Sequence, residues 1–218
     1  MTTKRKSFTT PRGIAVFPKL NEPDTKFDND GVYSVTLAFD ADDEDALALI
    51  RKLEALRDEQ FAAYISENPK KKKVAKPAPV ATPELDDEGE ETGRILLKFK
   101  MKASGTSRKT GKRWEMRPAI FAGKQQLDDP PNIGGGSVLR VSFEPHGAFV
   151  ESSKQFYLTL RLNAVQIIEL RSFGQRSADD YGFDDEEDGY RPDDAREDSA
   201  PFEDAEDSAD EDEDDGDY

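Results

Sequence analysis

Arg94-Ile95-Leu96-Leu97-Lys98-Phe99-Lys100-Met101-Lys102-Ala103 is the stretch that sets the architecture. Ile95, Leu97, Phe99 and Met101 fall on one side of an extended chain and Lys98, Lys100 and Lys102 on the other. Side chains alternate in this way along a strand and not along a helix. The stretch reads as a strand with an apolar inner face and a charged outer face.

Working outward, Val32 to Phe39 alternates as well, with Tyr33, Val35, Leu37 and Phe39 opposite Ser34 and Thr36. The turn cluster Asp28-Asn29-Asp30-Gly31 precedes it. An earlier strand is expected around Gly13 to Phe17, after a basic arm whose prolines oppose a regular helix. Between Asp40 and Glu67 the period changes: Leu49, Ile50, Leu53, Leu56, Tyr64 and Ile65 recur at helical spacing behind Asp42, Asp43, Glu44 and Asp45. Carboxylates there supply a cap and complement the helix dipole. Residues 68–93 lack periodicity and read as a mobile loop of about two dozen residues, unusual inside a compact domain. Further strands are expected at Trp114 to Ala122, Val138 to Phe143 and Phe156 to Leu170, with Glu144 to Gln155 as a connection. This content is mainly β. It suits an OB-fold-like closed antiparallel barrel with one inserted α-helix, the alternative being an α+β sandwich.

Charge is distributed unevenly. The whole chain has a formal net charge of −16, yet residues 177–218 hold 22 Asp or Glu against Arg191 and Arg196, a net of −20. Residues 1–176, which are left to form the folded domain, therefore carry 29 basic against 25 acidic side chains, a net of +4. A block of like charge cannot bury enough apolar surface to order itself, so 177–218 reads as a disordered acidic tail. Within the domain, Arg94 to Lys124 holds ten Lys or Arg and only Glu115 as an acid, a net of +9.

Lysines on alternate residues of a strand stand about 7 Å apart, close to the phosphate spacing of an extended nucleic-acid strand. The turn Arg108-Lys109-Thr110-Gly111-Lys112-Arg113 extends the positive band, and Trp114 adjoins it. A basic groove with an aromatic platform is how single strands are bound without sequence preference. The candidate contacts are Lys98, Lys100, Lys102, Arg108, Lys109, Lys112, Arg113, Trp114, Arg140 and Phe149. Trp114 reads equally as platform or core, and Phe149, in the loop-like His146-Gly147-Ala148-Phe149, as ligand contact or loop anchor. Tyr33, Phe99 and Phe143 belong to the interior. A solvated outer strand face is the alternative for the lysines.

Other chemistries find little support. Cysteine is absent and His146 is the single histidine, so no thiolate site, triad or histidine metal cluster is available, and no cofactor is expected. Gly134-Gly135-Gly136 leads into a strand and Ser137 follows no lysine, which fits a flexible turn and not a phosphate loop. No secretory leader or spanning segment is evident, so the chain reads as soluble and intracellular.

Gly31-Val32-Tyr33-Ser34-Val35, Lys98-Phe99-Lys100, Ile133-Gly134-Gly135-Gly136-Ser137 and the ending Asp215-Gly216-Asp217-Tyr218 resemble, in this order, single-stranded DNA-binding proteins of short-tailed phages of the T-seven type. The resemblance implies an OB barrel with an inserted helix and an acidic tail ending in an aromatic residue. It implies a protein of the infected host's cytoplasm that coats single strands, promotes annealing, and contacts the phage DNA polymerase and helicase–primase through its tail. Asp215, Asp217 and Tyr218 would make those contacts, and Lys98 and Lys100 match lysines implicated in DNA contact. Asp30 stands where the family has an arginine. On charge alone, the tail is expected to compete with DNA for the groove, and exchange of tails between two subunits would give a homodimer. The competing functions are an acidic chaperone or nucleic-acid mimic and an RNA-binding module.

Overall fold

The computed structural model describes residues 7–172. Residues 1–6 and 173–218 lie outside, and with them the expectations placed on the acidic segment, Asp215, Asp217 and Tyr218 included. In chain order the strands are β1 (Phe8–Thr9), β2 (Gly13–Asp24), β3 (Val32–Asp40), β4 (Lys76–Pro77), β5 (Thr82–Leu85) and β6 (Glu91–Lys102). They continue with β7 (Ser104–Thr106), β8 (Arg113–Glu115), β9 (Ala119–Ala122), β10 (Gln125–Gln126), β11 (Val138–Val150) and β12 (Gln155–Glu169). Helix α1 (Glu44–Glu67) lies between β3 and β4. The protein is mainly β, as expected.

Five strands pair in a ring, β11 to β2, β3, β6, β12 and back to β11. The alternation of β6 explains its place there. Leu97 and Phe99 are fully buried, while Lys98, Lys100 and Lys102 are exposed. Facing strands send Val35, Leu37, Val141, Phe143 and Leu160 into the same interior. Phe99 and Phe143 meet there with ring centroids 5.0 Å apart, a tilted pairing that suits the aromatic quadrupoles. Tyr33, Phe99 and Phe143 are interior, as their alternation requires.

Helix α1 closes one end of the ring. Asp43 caps it, accepting from the N–H groups of Asp45 at 2.9 Å and Ala46 at 3.0 Å. Ala46, Leu49, Ile50 and Leu53 are its buried residues and join the core. Its C-terminal half rests on the β11–β12 hairpin: Gln60 Oε1 accepts from Gly147 N–H at 2.8 Å, and Phe61 and Tyr64 pack on Phe156.

Four expectations need correction. The ring is not wholly antiparallel, because β6 and β12 run parallel, with Leu160 opposite Phe99 and Arg161 opposite Lys100. Parallel pairing needs a long connection, and the chain between β6 and β12 supplies it. The single strand foreseen at Trp114 to Ala122 is two, β8 and β9, in different sheets. They are separated at buried Pro118, which has no N–H for a ladder. The connection foreseen from Glu144 to Gln155 is mostly strand, since β11 runs to Val150 and leaves a tight turn with Lys154 at φ 55°. Residues 68–93, foreseen as a loop without regular structure, hold a 3-10 turn at Pro69–Lys71, β4, β5 and the start of β6. Strand β4 pairs with β12, and β5 with β6.

Candidate nucleic-acid interface

Ladder registration brings cations from different strands onto one outward face. Lys98 stands opposite Thr36. Lys100 stands opposite Ser34 on β3 and, on its other side, opposite Arg161 on β12. Ser34 in turn faces Lys19 on β2. Directly opposed residues project to the same side of a sheet. Lys19, Ser34, Lys100 and Arg161 therefore form a row across four strands spaced about 4.8 Å apart. Glu144, opposite Arg161 on β11, ends the row. Partial burial, and then the charge of Lys98, lower the pKa of Lys100 below the ordinary lysine value. Two ammonium groups are thus held close enough to repel, which an incoming polyanion relieves.

Part of the +9 segment is neutralised within the fold. Arg94 pairs with Glu84 at 2.6 Å, and Lys102 with Asp28 at 3.2 Å. The backbone N–H of Asp30, and then Lys102, hold the Asp28 carboxyl below its usual range. Arg113 lies 3.7 Å from Glu115 and donates to Ser104 Oγ at 3.2 Å, while that hydroxyl donates to the Asp30 carbonyl at 2.8 Å. Arg113 and Asp30 help to line a cleft of about 490 Å³ beside Tyr33 and Arg117. Among the described residues no ion pair engages Lys98, Lys100, Arg108, Lys109 or Lys112. The last three project from the tip of the β7–β8 hairpin, which follows directly on β6 and carries the positive band past Lys102.

The aromatic candidates separate. Trp114 is half-buried and opposite Gly105; a Cβ on that glycine would come within 2.6 Å of the indole. The indole thus lies on the hairpin backbone, in neither the core nor open solvent. Phe149 is on β11, not in a loop. Its ring stacks on Tyr64 of α1 at 5.2 Å, with Lys71 Nζ 5.2 Å from its centroid. It packs against the helix, which fits the anchor reading of the two that its sequence position allowed. Arg140 is outward-facing but stands opposite Gln166, five residues along β12 from Arg161, or about 17 Å at strand rise. Its Nε donates to the Thr10 carbonyl at 3.1 Å beside the first turns of α1. Arg140 therefore does not extend the row. The Gly134-Gly135-Gly136 turn is tied down by Ser137, whose hydroxyl donates to Gly134 O at 2.8 Å and accepts from Arg171 N–H at 2.9 Å. Among the described residues, no group of three His, Asp or Glu is placed to hold a metal ion.

Three residues of this face escaped the sequence. Arg161 alternates outward between buried Leu160 and Leu162, a signal that was present, but its parallel neighbour Lys100 was not readable. Lys19 lies beyond the strand expected at Gly13 to Phe17, because the irregular pairing between Val16 and Lys19 breaks the alternation of β2. Phe17, within that irregularity, is 83% exposed with φ 47°.

Comparison with known proteins bears on what this face holds. The sequence profile of the family described as single-stranded DNA-binding protein, bacteriophage T7, matches residues 12–170. The single-stranded DNA-binding protein of Enterobacteria phage T3 is 28% identical over 208 residues, covering 88% of each chain. Its counterpart in Escherichia phage T7 is 30% identical over 168 residues, covering 73% of this chain and 71% of the relative. The crystal structure of gp2.5, a single-stranded DNA-binding protein encoded by bacteriophage T7, superposes with a TM-score of 0.66 at 26% identity. The match covers 86% of this chain and 99% of that one.

Proposed function

The chain belongs to the T7-type family of phage single-stranded DNA-binding proteins, and we propose that it holds the strand on the outward face of β2, β3, β6 and β12. The observation that carries this reading is the registration of Lys19, Lys100 and Arg161 in one row, with Lys98 adjacent and no acid paired to Lys98 or Lys100 among the described residues. Phosphates lie along these cations, and Arg108, Lys109 and Lys112 extend the path over the β7–β8 hairpin. Trp114 flanks the path, and the strand ring serves as an OB-like barrel. A pure nucleic-acid mimic has no use for such a face.

In this reading the protein coats single strands during phage DNA replication and recombination and promotes their annealing. The segment 177–218, at −20, competes with DNA for the same cations at an effective concentration of order millimolar. Displaced by DNA, it becomes free to dock on the phage polymerase and helicase–primase through Asp215, Asp217 and Tyr218, or on a second copy of the chain. Titrating Trp114 fluorescence with single-stranded DNA, single-stranded RNA and duplex tests the ligand class. Preference for single-stranded DNA supports the reading; equal or tighter binding of RNA moves it to an RNA module, and preference for duplex removes it.

A further inference from the structure

Among the described residues, Phe17 is the exposed aromatic whose backbone is also strained: φ is 47°, a conformation that bulky side chains rarely adopt. No burial offsets this, because the ring is 83% in solvent. Lys154 shares the left-handed backbone, but it sits in a tight hairpin turn that demands it. Strain kept without a packing reason points to a ligand.

Its position says which ligand. Ala15, Pro18 and Leu20 of β2 turn inward, while Val16 and Lys19 share the faces of Thr36 and Ser34. Thr36 and Ser34 stand opposite Lys98 and Lys100. The extra residue of the bulge therefore raises Phe17 out of the cation-bearing face, between the row that contains Lys98 and the row that contains Lys100. Bulges re-aim side chains in this manner beside functional sites.

We infer that Phe17 is a base-stacking platform for single-stranded DNA whose phosphates run along Lys98, Lys100 and Arg161. The inference rests on the proposed function and adds the base-binding half of the site. Every base offers a π-face, so the contact is sequence-tolerant.

The test uses the full chain with Phe17→Leu, Phe17→Tyr and Phe17→Gly, a thymidine oligonucleotide, and the same oligonucleotide with abasic sites. Phe17→Leu weakens thymidine binding about tenfold, the loss of one stacked base. The salt slope stays unchanged, because no phosphate contact is lost. Phe17→Tyr binds like the wild type. On the abasic strand Phe17→Leu and the wild type bind alike. Phe17→Gly removes the left-handed strain, so its thermal midpoint is no lower than the wild type's while it shares the binding defect. Equal thymidine affinity in Phe17→Leu and wild type overturns the platform, as does an equal loss on the abasic strand. Lost self-association with unchanged DNA affinity also overturns it, and assigns the ring to a contact between copies. A parallel Lys98→Ala/Lys100→Ala variant separates the two layers. If it binds poorly while Phe17→Leu does not, only the platform fails; if neither loses affinity, the face itself fails.

Discussion

At the residue scale, Lys100 carries the most chemical information. Its pKa is lowered by partial burial and then by Lys98, so it gives up its proton at lower pH than an unfolded lysine does. Its charge therefore costs folding stability at neutral pH, and that cost is relieved as pH rises through the lowered value. Bound phosphates favour the ammonium form, so DNA binding takes up a proton in the alkaline range. Affinity for single strands should consequently fall as pH rises, beginning below the ordinary lysine pKa. Lys100→Arg, which stays charged, should flatten the profile in a binding titration from pH 7 to 10; an identical profile for both proteins contradicts the assignment. Trp114 shows where residue-level legibility stops. Sequence adjacency to the basic turn was visible, but its resting place depended on Gly105, where a Cβ would come within 2.6 Å of the indole.

Elements were legible where periodicity and burial agree. The β6 alternation, the Val32 to Phe39 strand and the amphipathic run behind Asp43 all formed as their patterns dictate. Asp43 makes two cap hydrogen bonds, so Asp43→Ala should cost about 1 kcal/mol in chemical denaturation. What stayed hidden was pairing between distant segments: β4 on β12 and β5 on β6 order a stretch that has no period of its own. A second fastening lies beside it, where Glu151 accepts from Lys154 at 2.6 Å and also pairs with Lys71. Hydrogen bonds from Lys154 and then Lys71 push the Glu151 carboxyl down to about 2. Its contribution is thus fully present above the unfolded glutamate pKa and is lost as pH falls toward 2. Thermal midpoints of Glu151→Gln and the wild type should differ at neutral pH and converge in that acid window. A difference that persists at pH 2 assigns the effect to packing instead.

For the whole molecule, division of the charge was legible from composition, and the address of the positive part was half legible. Lys98 and Lys100 were found from one strand. Arg161 and Lys19 needed the parallel β6–β12 register and the β2 bulge, both products of ring closure. Lys102, Arg94 and Arg113 look equivalent to them in sequence, yet each is held by an acid. Deleting 177–218 should tighten oligonucleotide binding, with a gain that shrinks as salt screens the competition; unchanged affinity at low salt excludes the segment as a competitor.

The central claim is that Lys98 and Lys100 meet phosphates. The measurement closest to it is the salt dependence of single-stranded DNA affinity for the wild type and Lys98→Ala/Lys100→Ala. Each phosphate contact removed lowers the log–log slope by about 0.7. The account predicts weaker binding and a slope shallower by about 1.4 in the double variant, with a thermal midpoint no lower than the wild type's, because the Lys98–Lys100 repulsion is removed. A folded variant with the wild-type slope would place the DNA elsewhere.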